Sequence, residues 1–132
     1  MRIALDTNRY TDLCRGAAEV VALVEHAEGV ALPFVVLAEL RAGFAVGRRG
    51  VENERVLRRF LLKPGVGVLY PDDETTRQYA QLFCQLRRQG TPIPTNDLWI
   101  AALALQHDLV LCDRDRHFDH LPQLTRVEGG AS

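Results

Sequence analysis

The chain has 132 residues, of which 47% are hydrophobic and 25% are charged. A chain of this length forms one domain, and this composition excludes intrinsic disorder and fibrous repeats. Its 16 Lys and Arg residues against 17 Asp and Glu residues give a formal net charge of −1, which excludes a globally basic nucleic-acid-binding protein.

Short apolar segments alternate with longer amphipathic ones along the chain. In chain order, we expect a strand at 2–6, a helix near Thr11, a helix at 17–27, a strand at 30–32, a helix at 34–46, a helix at 51–62, a strand at 66–70, a helix at 72–89, a helix at 95–107, a strand at 109–112 and a candidate fifth strand at 124–127. Asp72 or Asp73 is expected to cap the helix at 72–89. Thr95 or Asn96 is expected to cap the last helix.

Apolar strands that alternate with helices predict an α/β fold. We expect a three-layer sandwich in which a central parallel sheet of four to five strands is covered by helices on both faces. Residues 1–132 would form this single domain. Because ligands bind outside the carboxyl ends of the strands in such sheets, a site is expected after the first and fourth strands.

Acidic residues lie where such a sheet forms its site. Asp6 ends the first strand, and Asp113 and Asp115 follow the fourth. Asp97 lies in the first turn of the last and most apolar helix, and Glu39 lies on the third expected helix. Each acid also has a purely structural interpretation. Asp6 could cap the first helix, and Asp115 could stabilise a turn. Asp97 could be only a first-turn carboxylate that interacts favourably with the helix dipole.

Glu39 has helical neighbours that are all apolar or small: Val35, Val36, Ala42 and Gly43. We therefore expect its face to be semi-buried, where a charge needs a partner or a metal. The alternative is a surface glutamate or an ion pair with Arg41. For each acid the structural interpretation is credible, but the convergence of four separated acids on one end of the sheet favours a functional site.

Clustered carboxylates repel one another, and a divalent cation keeps them ionised. Mg²⁺ prefers oxygen ligands and leaves coordination positions for phosphate oxygens, and Mn²⁺ fits the same ligands. Such a site can activate water and stabilise the leaving oxygen of a phosphodiester. Zinc at Cys112, His117 and His120 is disfavoured because no paired spacing supports it, and the two histidines are expected to flank the site.

Four motifs resemble those of PIN-domain ribonucleases, specifically the VapC toxins of toxin–antitoxin pairs. They are Leu5-Asp6-Thr7-Asn8, Val36-Leu37-Ala38-Glu39-Leu40, Ile93-Pro94-Thr95-Asn96-Asp97-Leu98-Trp99-Ile100-Ala101-Ala102 and Arg114-Asp115-Arg116-His117-Phe118. Each motif is weak alone, but their order and spacing together are specific. The resemblance covers nearly the whole chain.

The resemblance implies which residues form the site. The family's catalytic and metal-binding acids fall on four positions: Asp6, Glu39, Asp97 and Asp115. Asp6 and Asp97 would be the principal metal ligands, Glu39 would ligate or orient the water, and Asp115 would complete a second or transient metal position. Thr7 and Asn96, beside two of these acids, are further candidates. Asp113 departs from the family, which usually has Thr or Ser there, so Asp113 either adds a carboxylate or makes the fourth acid ambiguous.

The resemblance also implies an activity and partners. The protein would be an endoribonuclease that uses Mg²⁺ or Mn²⁺ and leaves 5′-phosphate and 3′-hydroxyl ends on RNA such as tRNA or rRNA. The strand order would be 3-2-1-4-5, in a homodimer. A VapB-like antitoxin would insert a peptide, often with an Arg, into the acidic site. The non-enzymatic alternative is a degenerate domain that only binds RNA or protein, and the presence of all four acids argues against it.

Positive charge is concentrated in one segment. Residues 41–63 carry seven basic and two acidic residues, a net charge of +5, whereas 1–40 and 97–119 each carry −3. This segment could hold an RNA backbone, with Arg41, Arg48 and Arg49 as candidate contacts. The alternative is a solvated helix face on which acidic and basic side chains pair.

The compartment is predicted from the cysteines and the apolar segments. The three cysteines lie among apolar neighbours, as reduced structural cysteines do. No signal-peptide pattern opens the chain, and the longest apolar run, residues 30–38, is too short to cross a membrane. We expect a cytoplasmic protein that does not insert into membranes.

Overall fold

The computed structural model describes residues 1–127, in which each of the first three strands is followed by two helices. In chain order they are β1 (Arg2–Leu5), α1 (Thr7–Cys14), α2 (Ala18–His26), β2 (Gly29–Pro33), α3 (Phe34–Val46), α4 (Gly50–Leu61), β3 (Val66–Leu69), α5 (Asp73–Gln89), α6 (Thr95–Gln106), β4 (Val110–Cys112) and a 3₁₀ helix (Arg116–His120). The predicted helices and the first four predicted strands are present with boundaries within a few residues.

The four strands form one parallel sheet in the order β3-β2-β1-β4. In β1 the successive residues Ile3, Ala4 and Leu5 are all fully buried. Because successive side chains of a strand point to opposite faces, both faces of the sheet are covered by helices. The predicted α/β architecture and the order of the first four strands are therefore confirmed.

The expected fifth strand at 124–127 is not a strand. Arg126 forms a single parallel bridge with Leu111 of β4. The Leu111 amide donates to the Thr125 carbonyl over 2.8 Å, and the Val127 amide donates to the Leu111 carbonyl over 2.9 Å. Because β4 itself has only three residues, it offers a short ladder to a neighbour. The segment nevertheless lies beside β4, where the fifth strand was expected.

The caps of the last two α-helices differ from each other. Asp72, one of the two residues predicted as the cap of α5, caps this helix and forms a capping box with Thr75. The cap predicted for α6 is wrong, because Pro94 precedes this helix and no side chain caps it. Pro94 combines φ −57° with an extended ψ of 148°, so it lies just outside the helix, which begins at Thr95 and has Asn96 in its first turn.

Two further expectations concern membranes and thiols. Within residues 1–127, no helix combines the length and the apolar character that crossing a bilayer requires. The three cysteines are free, and Cys112 is buried as expected. Cys14 and Cys84 are exposed, so among the three only Cys112 has the buried position typical of a structural cysteine.

Candidate active site

Asp6 leaves the sheet at the edge where a site was predicted. Leu5 pairs in parallel with Cys112, so Asp6 and Asp113 emerge side by side from the carboxyl ends of β1 and β4. The Oδ1 atom of Asp6 accepts a hydrogen bond of 2.8 Å from the Arg9 amide and caps α1. The interpretation of Asp6 as a helix cap is thus correct. The cap uses only Oδ1, so Oδ2 remains available for another partner.

The Asp6 carboxyl group is in an environment that disfavours its charge. Only 5% of the residue is exposed. Burial, and to a smaller extent the charges of Asp113 and Asp115, raise the pKa of Asp6 from 3.8 to about 7, against the lowering effect of the Arg9 amide. A buried carboxyl group of this kind, at the end of a strand, is typical of a functional site.

Asp97, Asp115 and His117 form a cluster beside Asp6. Each offers one ligand atom, and these atoms lie within 4.8 Å of one another. Asp97 lies in the first turn of α6, and Asp115 caps the 3₁₀ helix by accepting from the His117 amide over 2.9 Å. The turn-stabilising interpretation of Asp115 is therefore correct too. Its carboxylate still faces the other two groups.

His117 connects the two carboxylates. Its Nδ1 atom lies 2.8 Å from Oδ2 of Asp97 and 3.0 Å from Oδ1 of Asp115. Because an ionised carboxylate only accepts hydrogen bonds, Nδ1 carries the hydrogen. The hydrogen bond to Asp97 and the charge of Asp115 raise the pKa of His117. Burial is the largest influence on Asp97 and raises its pKa, whereas the His117 hydrogen bond lowers it.

Glu39 reaches the same region from α3. The Thr7 hydroxyl, at the start of α1, donates to Oε1 of Glu39 over 2.8 Å. The expectation that Glu39 is semi-buried is wrong, because the residue is exposed. Its neighbours on the helix face are apolar or small, but the carboxylate extends past them toward α1. Nor does it pair with Arg41, which binds Glu54 instead.

Electrostatic influences between pairs of these acids support their proximity. The charge of Asp115 raises the pKa of both Asp6 and Asp97. The charge of Glu39 also raises the pKa of Asp97. Asp115 thus links Asp6 to Asp97, Asp97 is in turn influenced by Glu39, and the Thr7 hydroxyl binds Glu39. Asn96 is exposed beside Asp97 in the first turn of α6.

Asp113, the residue that departs from the family pattern, has both oxygens engaged. Its side chain is 1% exposed, and Arg126 donates to Oδ1 over 2.7 Å and to Oδ2 over 2.9 Å. Oδ1 also accepts from the Asp115 amide over 3.0 Å. These contacts favour Asp115 over Asp113 as the acid that faces the cluster.

The three arginines considered for RNA binding differ in their partners. Arg41 donates to both carboxylate oxygens of Glu54, over 3.0 and 3.1 Å. Arg49 pairs with Glu52 one turn along the chain, as the solvated-face interpretation predicts. Arg48 is exposed and has no ion-pair partner among residues 1–127. Of the three, Arg48 has the charge most available to a phosphate.

Two residues of this region were not predicted in their observed roles. His117 was expected only to flank the site, yet it contacts two of the four acids; its signal was its place two residues after Asp115. Arg126 was not considered at all, since nothing in the sequence around it indicates a partner 13 residues earlier. Cys112 and His120 do not join His117 in the metal-compatible group, which involves Asp97 and Asp115.

The donor set fits a divalent cation. Carboxylate oxygens predominate, and they suit Mg²⁺ and Mn²⁺, whereas a cysteine thiolate that would favour zinc is missing from the group found within the described residues. Besides burial, the charges of Asp113 and Asp115 raise the pKa of Asp6, and a cation would relieve that repulsion. The residues present are therefore compatible with a metal centre.

Comparisons with known proteins identify the class. The family model described as PIN domain matches residues 3–124. The chain belongs to the PIN-domain family, as the resemblance of its motifs predicted.

Its relatives are toxins and ribonucleases by name. The chain is 35% identical over 113 residues to "Ribonuclease VapC1" of Haemophilus influenzae strain R2866, which covers 81% of both chains. It is 34% identical over 122 residues to "Toxin FitB" of Neisseria gonorrhoeae, covering 86% of this chain and 87% of the relative. The solved structure of VapBC-1 from nontypeable Haemophilus influenzae superposes with a TM-score of 0.83 at 30% identity, over 96% and 97% of the two chains.

Proposed function

We propose that this protein is a divalent-metal-dependent endoribonuclease that acts in the cytoplasm as the toxin of a toxin–antitoxin pair. The observation that carries the proposal is the group of Asp97, Asp115 and His117 within 4.8 Å, beside the buried Asp6, in a PIN domain. The names of the ribonuclease VapC1 and the toxin FitB support the reaction and the biological role.

Four acids would hold the cation: Asp6, Glu39, Asp97 and Asp115. Mg²⁺ is the expected ion, and Mn²⁺ fits the same oxygens. When bound, such an ion lowers the pKa of water and stabilises negative charge on the phosphodiester oxygens. The protein's contribution is to fix these oxygens, since two of the acids cap helices and a third is held by a neighbouring hydroxyl.

Glu39 is the acid best placed to handle the attacking water. It is exposed, and the Thr7 hydroxyl restrains its carboxylate over 2.8 Å. A restrained, accessible carboxylate can orient a water molecule and accept its proton. Asp6 is the opposite case: its burial leaves little room for solvent, so it serves as a fixed oxygen ligand. The basic segment 41–63 would bind the RNA backbone, with Arg48 the most available cation.

The partners follow from the class and from the relatives. The substrate would be a structured RNA such as tRNA or rRNA. The VapBC-1 structure supports a VapB-like antitoxin partner for this chain. The antitoxin would suppress the activity by placing a peptide with a basic side chain against the acidic cluster, where it would be attracted by the clustered carboxylates. The active form would be a homodimer of the 1–132 domain.

RNA cleavage by purified protein tests the proposal. The protein, freed of antitoxin, is incubated with total tRNA and rRNA in Mg²⁺, beside Asp97→Asn. We expect the wild type to cut and the variant to lose about 100-fold or more of the rate, in line with other electrostatic catalytic groups. Asp73→Asn, which alters an exposed acid at the start of α5, is the matched control and should cut normally. No cleavage by the wild type would leave the RNA- or protein-binding alternative. Equal cleavage by Asp97→Asn would show that the cutting does not depend on the acid cluster and would overturn the proposal.

A further inference from the structure

The segment after the 3₁₀ helix reaches back to the site through one side chain. The Arg126 guanidinium forms a two-point ion pair with the buried Asp113 carboxylate, over 2.7 and 2.9 Å. It also donates to the Asp115 carbonyl over 3.1 Å and to Oδ1 of Asp119 over 2.6 Å. Its backbone is fixed as well, by the bridge to Leu111.

These contacts hold the backbone of Asp115 on both sides. The Asp115 amide donates to Oδ1 of Asp113, and the Asp115 carbonyl accepts from Arg126. The ion pair joins the two anchors, because the same Asp113 oxygen that accepts from the Asp115 amide also accepts from Arg126. The direction of the Asp115 carboxylate therefore depends on a closed loop of hydrogen bonds between three residues.

The ion pair also neutralises the buried charge of Asp113. Asp113 is almost fully buried at the carboxyl edge of the sheet, next to Asp6. A buried charge without a partner is costly, so Asp113 requires the guanidinium. This chain thus combines an acid at 113 with an arginine at 126.

We propose that Arg126 is a positioning residue that, together with Asp113, holds the Asp115 carboxylate toward Asp97 and so prepares the site for a divalent cation. Asp113 then belongs to the support of the site and not to its ligands, since both its oxygens are engaged. The proposal rests on the proposed function, because it assigns these residues to the same metal site. It makes the segment at 124–127 part of the working structure of the site.

Isothermal titration calorimetry of the purified protein with Mn²⁺ alone tests the proposal without RNA. We expect Arg126→Ala to weaken Mn²⁺ binding about 10-fold or more, which is the usual effect of removing a residue that orients a metal ligand. RNA cleavage should fall through kcat, with KM for RNA unchanged, since the Arg126 guanidinium is engaged by Asp113, Asp119 and the Asp115 carbonyl. Arg77→Ala, which breaks an exposed ion pair on α5, is the control and should match the wild type.

Two further variants separate positioning from stability. Arg126→Lys keeps a positive charge beside Asp113 and should fold, but one ammonium group cannot reproduce the two-point pair and the carbonyl contact, so Mn²⁺ binding should remain weak. Asp113→Thr combined with Arg126→Ala removes the unpaired charge, and it should fold while binding Mn²⁺ more weakly than the wild type. Wild-type Mn²⁺ affinity in either variant would overturn the proposal, because Arg126 would then only neutralise a charge.

The outcomes distinguish this proposal from the proposed function. A wild-type protein that binds Mn²⁺ and loses affinity in the Arg126 variants, yet cuts no RNA, would support the positioning role and contradict the ribonuclease activity. If cleavage were lost with Asp97→Asn but unaffected by every Arg126 variant, the ribonuclease activity would be supported and the positioning role of Arg126 would be contradicted. A wild type that binds no Mn²⁺ would overturn both.

Discussion

At the residue scale, the burial of the Asp6 carboxyl group costs stability. The residue is 5% exposed, and its pKa is raised to about 7 mainly by burial. A folded-state pKa above the unfolded one means that the folded protein binds the proton more tightly. The free energy of unfolding therefore falls as the pH rises from 3.8 to about 7. The proposed role of Asp6 as a metal ligand would explain an acid at a position where a neutral side chain would be more stable.

Asp6→Asn should therefore stabilise the metal-free protein at neutral pH. The amide keeps an oxygen for the Arg9 amide and carries no charge to desolvate. At about 1.4 kcal/mol for each pKa unit, the variant should gain a few kcal/mol over the wild type at pH 8 and little at pH 4. Urea unfolding in EDTA at both pH values measures this difference. The same variant should lose RNA cleavage.

Asp73→Asn is the control for that measurement, because Asp73 is exposed at the start of α5. It should shift stability equally at the two pH values. If Asp6→Asn were destabilised at pH 8, or if its difference from the wild type did not grow with pH, the burial of a charge at Asp6 would be contradicted.

At the scale of elements, an ion-pair network joins α3 to α4. Glu54 accepts from Arg41 through both oxygens and from Arg58 over 3.1 Å. The acid thus offsets part of the positive charge of the 41–63 segment and connects the helix of Glu39 to its neighbour. Arg48, at the turn between these helices, is free of such pairs among residues 1–127. Exposed ion pairs contribute little to stability, so the network mainly determines which cations remain for a ligand.

Arg48→Ala should therefore weaken RNA binding more than Arg41→Ala. We expect the Arg48 variant to raise KM several-fold without changing kcat. In a plot of log affinity against log salt concentration, the slope for the Arg48 variant should be shallower by about 0.7. This is the change expected when one phosphate contact to a single strand is lost. Fluorescence anisotropy of labelled RNA at several salt concentrations gives both quantities. An unchanged slope, or a larger effect from Arg41→Ala, would favour the solvated-face interpretation of the basic segment.

At the scale of the whole molecule, the net charge of −1 is a cancellation. Acids from β1, α3, α6 and the segment after β4 meet at one edge of the sheet. The basic residues concentrate in α3, α4 and the turn between them. A protein of nearly zero net charge can thus combine a negative site for a metal with a positive surface for a phosphate backbone. The exclusion of a globally basic protein did not exclude a nucleic-acid enzyme.

Much of this arrangement could be predicted, because it depends on local patterns. Apolar runs of three or four residues alternate with longer helical segments, so the parallel sheet follows from general rules. Since parallel strands end at one edge, Asp6 and Asp115 had to approach each other. The motifs around Glu39 and Asp97 added two acids that spacing alone would not have assigned.

The remaining features depend on contacts that no local pattern records. Arg126 pairs with Asp113 across a chain reversal, and sequence periodicity contains no information on such a pair. The exposure of Glu39 depends on how α3 lies relative to α1, whereas its apolar neighbours alone predicted burial. The predicted fifth strand does not form because a β ladder needs a partner strand of sufficient length, and β4 is short.

The ends of the RNA fragments test the central claim, that a divalent cation held by the acid cluster drives hydrolysis. His117 with a carboxylate could instead catalyse attack by the RNA 2′-hydroxyl, without metal. Mass spectrometry of fragments made by the wild type, in Mg²⁺ and in EDTA, separates the two reactions. We predict 5′-phosphate and 3′-hydroxyl ends in Mg²⁺ and no cleavage in EDTA. Fragments with 2′,3′-cyclic phosphate and 5′-hydroxyl ends, formed equally in EDTA, would contradict this account.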